Sequence, residues 1–227
     1  MTEAFNMDCM EAMKRMPDNA FDLAIVDPPY GIGCLSMTFT KEGSDRKFGK
    51  SVAPKRDYKR IDNWDVKPGK EYFDELFRVS KKQIIWGGNY FADMLPVSRS
   101  YVVWDKRCKD SMTNAFADCE MAWLSPGMGV PRMFRFVWNG MLQGDMKHKQ
   151  QRIHPTEKPI ALYRWLLATY ARPDDRILDT HLGSGSSRIA AWEGGYNFVG
   201  YEIDKDYFDA QEKRFKEYSA QATLFSE

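Results

Sequence analysis

Short apolar runs alternate with amphipathic helical segments along this whole chain. The runs that predict strands are Ala4–Met7, Leu23–Val26, Gln83–Trp86, Tyr101–Trp104, Arg176–Leu178 and Phe198–Tyr201, with Cys119–Leu124 and Met133–Trp138 as antiparallel additions. The predicted helices are Cys9–Arg15, Glu71–Lys81, Tyr90–Leu95, Ile160–Ala171, Ser187–Glu193 and Lys205–Tyr218. This alternation is typical of an α/β domain whose strands are joined by crossover helices.

Length and composition fit one domain with a core of its own. The chain has 227 residues, of which 43% are hydrophobic, enough for a core without disulfides. The four cysteines, Cys9, Cys34, Cys108 and Cys119, show no CxxC spacing and predict neither a zinc site nor a disulfide framework. Neither a signal-like start nor an apolar run near ~18 residues is present, so we expect a cytoplasmic protein that does not enter the membrane.

Four acidic residues come directly after predicted strands or within one place of them. They are Asp8, Asp27, Asp179 and Glu202. Ligands of open α/β sheets bind at the carboxyl ends of the strands. We therefore expect at least three of these carboxylates to line one cleft.

The segment Arg176-Ile-Leu-Asp-Thr-His-Leu-Gly-Ser-Gly185 reads as a strand, an acid and a glycine-rich turn into a helix. Glycines permit close backbone approach to a nucleotide, and an acid about 20 residues on, here Glu202, accepts ribose hydroxyls. Arg188 stands where the third glycine of a dinucleotide fingerprint would be. This argues against a pyrophosphate cofactor and favours S-adenosylmethionine, which has an adenosine but no phosphate.

A more specific signal is the strand that ends in Asp27-Pro-Pro-Tyr30. Two prolines remove two backbone donors and leave carbonyl acceptors in a fixed direction. A carboxylate and an aromatic ring stand beside them. This set suits an exocyclic base amine, whose two hydrogens would go to Asp27 and the Pro28 carbonyl while Tyr30 stacks on the ring.

With the DPPY motif ahead of the glycine motif, the chain resembles the β group of DNA amino-methyltransferases. His154-Pro-Thr-Glu-Lys-Pro159 is similar to the HPTxKP segment of that family, which helps to hold the methionine end of the cofactor. The resemblance implies a Rossmann-like class I methyltransferase fold with a mostly parallel seven-stranded sheet and a permuted motif order. It runs from Asp8 to about Tyr207.

The resemblance also implies the site residues. The catalytic set is Asp27, Pro28, Pro29 and Tyr30. The set that contacts the cofactor is Asp8, Asp27, His154, Thr156, Lys158, Asp179, His181, Gly183, Ser184, Gly185 and Glu202.

Some positions in these motifs are open to more than one interpretation. Thr180 and His181 replace the family's usual proline and phenylalanine, and His181 is expected to be a packing or hydrogen-bonding residue rather than a catalyst. Lys158 either pairs with the methionine carboxylate or is a solvated lysine at a helix start. The segment Trp86–Tyr90 is expected to form a tight turn with a packed tryptophan rather than a base contact.

Two long gaps between predicted elements, Gly31 to about Lys67 and about Gly127 to Arg152, are candidates for DNA contact. We interpret 1–227 as a single catalytic domain, with 31–67 as a mobile DNA-binding loop, 105–152 as a small target-recognition region and 219–227 as a tail. Basic residues concentrate in both gaps, although the net charge is only +1. They are Lys41, Arg46, Lys47, Lys50, Lys55, Arg56, Lys59 and Arg60 in the first gap, and Arg132, Arg135, Lys147, Lys149 and Arg152 in the second.

The implied reaction is methyl transfer to N6 of an adenine flipped out of double-stranded DNA. N4-cytosine methylation and RNA adenine methylation use the same chemistry and stay open. Protein glutamine methylation uses NPPY with the glycine motif first, and C5-cytosine methylation needs a Pro-Cys nucleophile, so both disagree with the sequence. A binding module without activity is disfavoured because Asp27, Tyr30, Gly183, Gly185 and Glu202 are all present.

The C-terminal stretch Gln221-Ala-Thr-Leu-Phe225 follows the last predicted helix. It resembles the QxxLF peptides with which bacterial replication and repair proteins dock on the sliding clamp, through Gln221, Leu224 and Phe225. Folding of Leu224 and Phe225 back onto the domain is the favoured alternative. A homodimer is also compatible with the short target-recognition region.

Overall fold

The computed structural model describes residues 1–33, 65–107, 117–139, 142–147, 149, 152–154 and 156–224. Ten strands are formed by these residues: β1 (Thr2–Asn6), β2 (Leu23–Val26), β3 (Gln83–Trp86), β4 (Tyr101–Asp105), β5 (Cys119–Leu124), β6 (Arg132–Arg135), β7 (Trp138–Asn139), β8 (Leu142–Gln143), β9 (Arg176–Asp179) and β10 (Asn197–Glu202). The helices of the same ranges are α1 (Cys9–Met13), α2 (Lys70–Val79), α3 (Ile160–Tyr170), α4 (Ser186–Glu193) and α5 (Lys205–Leu224).

Eight of these strands form one sheet in the order β1-β10-β9-β2-β3-β5-β4-β6. The pairs β1·β10, β10·β9, β9·β2, β2·β3 and β4·β6 are parallel, and β5 runs antiparallel to both of its neighbours. The fold is therefore the mostly parallel α/β class that the sequence predicts. The expected number of seven strands is wrong, because β6 adds an eighth at the edge.

Both faces of the sheet are covered by helices, so its central strands β2 and β3 are buried at every position. Leu23 and Ile25 of β2 pack into one cluster together with residues of α3 and α4. Ala24 and Val26 point the other way, into a second cluster with α1 and α2. One strand thus links the two halves of the core.

Strands β9 and β2 lie at the topological switch point of the sheet. The chain leaves β9 through α4 for β10 on one side, and leaves β2 toward β3 on the other. The connections diverge at this pair and open a crevice at the carboxyl ends. The DPPY and glycine motifs both begin there.

Three predicted elements differ from the structure. Residues 90–95, expected to be a helix, form consecutive turns. The segment 133–138, expected to be antiparallel, contributes β6, which is parallel to β4. Helix α5 continues six residues beyond its predicted end at Tyr218, through Leu224.

Candidate active site

The four predicted acids all lie at the carboxyl edge of neighbouring parallel strands. Asp8 and Glu202 line a cavity of about 250 Å³ with His181, and Asp179 is buried beside it. Burial raises the pKa of Asp179 to about 7, and the charges of Asp27 and Glu202 add to this effect. The four carboxylates thus lie along one edge of the sheet, but only Asp8 and Glu202 of the four line this cavity, so the expectation that at least three line one cleft is not met there.

The glycine-rich turn is fixed by hydrogen bonds to two of these acids. Asp179 accepts from the His181 backbone N–H at 3.0 Å and from the Ser187 hydroxyl at 2.5 Å. Glu202 accepts from the Gly183 N–H at 2.8 Å. Gly183 and Gly185 have φ of +52° and +73°, and Gly185 is the N-cap of α4. Residues 183 and 185 both adopt the left-handed backbone conformation, which explains why both are glycine.

His181 is held by neighbours that leave it little freedom. Its Nδ1 lies 2.9 Å from the Thr180 hydroxyl, which in turn lies 2.7 Å from the Tyr72 hydroxyl. Its ring meets that of Tyr72 edge to face at 5.3 Å. Burial lowers the pKa of His181 to about 4, so the ring is neutral near pH 7.

Asp27 is held from two sides. The Tyr30 hydroxyl donates to Oδ1 at 2.7 Å, and the Lys158 ammonium donates to Oδ2. Burial raises the pKa of Asp27, and Lys158 opposes this rise. The Tyr30 pKa is raised well above its usual value by burial and by Asp27, so the hydroxyl stays protonated as a donor.

Lys158 also contacts a second carboxylate, Glu120 of β5, at 3.1 Å. The other Glu120 oxygen lies 2.9 Å from Nζ of Lys106, which follows β4. Neither Glu120 nor Lys106 is predicted from the sequence. The one available signal is an acid within the otherwise apolar run Cys119–Leu124. Lys158 lies between two protein carboxylates with its side chain 3% exposed, so the alternative of a solvated lysine is wrong, and pairing with the methionine carboxylate stays a prediction.

The turn after β3 brings a second tyrosine to Tyr30. The rings of Tyr30 and Tyr90 stack with centroids 4.9 Å apart. Gly87 has φ of +70°, and a Cβ there would lie 2.3 Å from Tyr30 Cε1. Trp86 is fully buried. The expected tight turn with a packed tryptophan is confirmed, and its exposed Tyr90 extends the aromatic surface of the DPPY motif.

His154 lies next to the glycine turn, where a Cβ at Gly183 would be 3.9 Å from the His154 ring. The His154 ring lies 4.3 Å from that of Tyr207, and its Nδ1 lies 3.1 Å from the Thr156 hydroxyl. Burial lowers the pKa of His154 to about 4. Glu157 is buried and lies 3.2 Å from an Arg214 nitrogen of α5. The Glu157–Arg214 contact thus fixes the HPTEKP segment to α5 directly before Lys158.

The basic residues predicted to contact DNA fall into two groups. Those from Lys41 to Arg60, with Lys55, Arg56, Lys59 and Arg60 among them, lie outside the described residues. Arg132, Arg135, Lys147 and Lys149 are exposed. Arg135 also donates to Asp105 at 3.0 Å, and Arg152 covers the Trp138 ring at 4.5 Å.

The predicted C-terminal peptide begins inside a helix. Gln221 is exposed in the last turn of α5, which ends at Leu224. The expectation that this stretch follows the helix is therefore wrong, and Phe225 lies outside the described residues. Within the described ranges, no helix has both the length and the apolar character needed to cross a membrane.

Comparison with known proteins agrees with this geometry. Residues 105–213 match the N6_N4_Mtase family, described as DNA methylase. YubD of Escherichia coli (strain K12) is 26% identical over 94% of this chain and 90% of its own length. The type II methyltransferase M2.MboI of Moraxella bovis is 22% identical over 92% of this chain and 86% of its own length. The type II methyltransferase M.HinfI of Haemophilus influenzae is 24% identical over 92% and 67%.

Solved structures share the fold. The crystal structure of an M1.HpyAVI–SAM complex superposes with a TM-score of 0.56 at 19% identity, covering 94% of this chain and 100% of that one. The cytosine-N4-specific PvuII DNA methyltransferase gives a TM-score of 0.58 at 11% identity, covering 96% and 92%. The fold is thus that of class I methyltransferases, a class that uses S-adenosylmethionine. The family match over residues 105–213 and the type II relatives support the resemblance to the β group of DNA amino-methyltransferases.

Proposed function

We propose that this protein methylates N6 of an adenine flipped out of double-stranded DNA. The observation that carries the proposal is the Asp27 carboxylate at the carboxyl end of β2, held by Tyr30 and Lys158 beside the glycine turn. A carboxylate has roughly four acceptor sites. Two are taken by these donors, so an incoming amine still finds an acceptor at Asp27.

The chain's contribution to the reaction is positioning and electrostatics. Asp27 and the Pro28 carbonyl would each accept one hydrogen of the base amine, which localises the nitrogen lone pair. The same two acceptors stabilise the positive charge that grows on nitrogen during methyl transfer. Pro28 and Pro29 lack N–H groups, so no backbone donor competes at this edge.

The cavity beside the glycine turn fits S-adenosylmethionine, which when bound supplies a reactive methyl group on sulfur. The described residues that line it include the carboxylates of Asp8, Glu71 and Glu202 but no lysine or arginine. Such a lining favours hydroxyl and amine groups over phosphate. Glu202 would accept the ribose hydroxyls, Asp8 would face the adenine, and Gly183 to Gly185 would allow close backbone approach.

Adenine is preferred over cytosine because the family uses DPPY mostly for N6-adenine and a serine-led motif more often for N4-cytosine. The test is mass spectrometry of nucleosides from duplex DNA and from RNA treated with the purified protein. We expect N6-methyladenine in DNA from the wild type. Asp27→Asn should lose at least about 100-fold in turnover and still bind S-adenosylmethionine.

N4-methylcytosine without N6-methyladenine would contradict the choice of base, and methylated RNA with unmethylated DNA would contradict the choice of substrate. Near-wild-type turnover in Asp27→Asn would contradict the catalytic role. The cytoplasmic location expected from the sequence stays a prediction. Clamp docking through Gln221, Leu224 and Phe225, and homodimerisation, stay predictions from the sequence.

A further inference from the structure

Four charged side chains form a row that leads away from Asp27. Lys158 bridges Asp27 and Glu120, and Lys106 pairs with the far oxygen of Glu120. The side chains of Lys158 and Lys106 are only 3% and 13% exposed. Their signs alternate from Asp27 outward, so the row is neutral as a whole.

The single ammonium group of Lys158 is shared by two carboxylates from different strands. Lys106 binds Oε1 of Glu120, while Lys158 binds Oε2. Burial raises the pKa of Glu120, but the two lysines outweigh it and hold that pKa at about 2. Because charges interact strongly where water is excluded, the neutralisation of Glu120 by Lys106 determines how much of the Lys158 charge remains for Asp27.

We propose that Glu120 and Lys106 are positioning residues that set the strength of the Asp27–Lys158 ion pair, and with it the pH range in which Asp27 accepts the base amine. The proposal rests on the catalytic role of Asp27 proposed above. Neither residue touches the reacting atoms, and both act through Lys158.

Other ionisable groups face Asp27 from the surrounding elements, and none of them changes in the proposed variants. They are Tyr30 after β2, Tyr72 of α2, Tyr163 of α3 and Asp179 of β9. Burial raises the pKa of each tyrosine well above its usual value, so these side chains stay neutral. Asp179, with a pKa of about 7, contributes equally to every profile compared.

The test is the pH dependence of kcat at saturating S-adenosylmethionine and DNA for Lys106→Gln, Glu120→Gln, the double variant and Lys106→Arg. In Lys106→Gln, Glu120 has lost one of its two lysines and competes more strongly with Asp27 for Lys158. The acid limb of the kcat profile should therefore move up by about 0.5 to 1 pH unit. In Glu120→Gln, Asp27 is the one remaining carboxylate of the row that pairs with Lys158. The acid limb of the kcat profile should therefore move down by a similar amount. The double variant should lie between them, and Lys106→Arg should match the wild type.

Shifts in the same direction, or acid limbs unmoved in both single variants, would overturn the inference. Asp27→Asn separates the two proposals, since activity in that variant contradicts the proposed function. An inactive Asp27→Asn with unmoved limbs in the other variants contradicts only the positioning role. Thermal melting and S-adenosylmethionine affinity report on folding, and if Glu120→Gln fails to fold, Lys106→Gln and Lys106→Arg decide the question.

Discussion

Tyr90 shows what a single residue adds to the DPPY motif. Its ring stacks on Tyr30, whose hydroxyl holds Asp27, so Tyr90 limits the movement of the carboxylate's own donor. Tyr90 itself is 39% exposed. Tyr90 is therefore placed to steady Tyr30, and it leaves an aromatic surface exposed beside the DPPY motif.

We expect Tyr90→Ala to lower kcat/KM by about 2- to 12-fold, because an aromatic pair contributes about 0.5 to 1.5 kcal/mol. Tyr90→Phe should retain most of the activity. Phe5→Ala is the matched control, since Phe5 also stacks on a tyrosine, Tyr201, but on edge strand β1 away from Asp27. Equal rates for Tyr90→Ala and the wild type under single-turnover conditions would show that the stack has no part in catalysis.

The residues that the sequence could predict are those whose role is local. Asp27, Asp179 and Glu202 each lie where an apolar run ends. The carboxyl end of a strand can be predicted from a few neighbouring residues. The Lys158–Asp27 pair joins positions 131 residues apart. Glu120 is on a strand inserted between β3 and β4, and nothing in the linear sequence indicates that neighbourhood.

At the scale of elements, the wrong predictions for residues 90–95 and for β6 have separate causes. Residues 90–95 carry helical spacing, but Gly87 and Gly88 precede them and Pro96 follows, so backbone bonds such as Tyr90 N–H to Gly87 O close turns instead. For β6, apolar alternation indicates a strand but carries no information on its direction. The seven residues between β5 and β6 let the chain pass β4 and pair on its far side.

The predicted DNA-binding loop, 31–67, is tested as an element. Replacing Lys55, Arg56, Lys59 and Arg60 with glutamine should weaken binding to all duplex sequences alike. The slope of log K against log salt should flatten by up to ~0.9 for each phosphate that the loop no longer neutralises. Binding is measured by fluorescence anisotropy at several salt concentrations, with Lys205→Gln and Lys213→Gln on the exposed face of α5 as the charge control. An unchanged slope would assign these four side chains to solvent.

At the scale of the whole molecule, the order of elements was enough to predict the α/β class, and the order of motifs predicts the resemblance to DNA methyltransferases that the family match over residues 105–213 supports. The crevice between β9 and β2 follows from both, because acids at the ends of parallel strands must converge. The eighth strand and the row from Asp27 to Lys106 depend on long-range packing of β4, β5 and β6. Sequence periodicity does not report such packing.

The last prediction concerns the pH dependence of global stability. Burial lowers the pKa of His181 to about 4 in the folded chain, against about 6.5 when unfolded. Between these values the unfolded chain binds a proton at this site that the folded chain does not, so stability is lost as pH falls from about 6.5 to about 4.

His181→Asn removes the group that binds this proton. The difference in unfolding free energy, wild type minus variant, should therefore rise with pH by up to about 1.4 kcal/mol per unit in this window and level off above it. Asp179 and His154 titrate in both proteins and cancel in the difference. Urea unfolding followed by tryptophan fluorescence at half-unit steps from pH 4 to 7.5 measures it, and a difference independent of pH would mean that His181 titrates as an exposed histidine does.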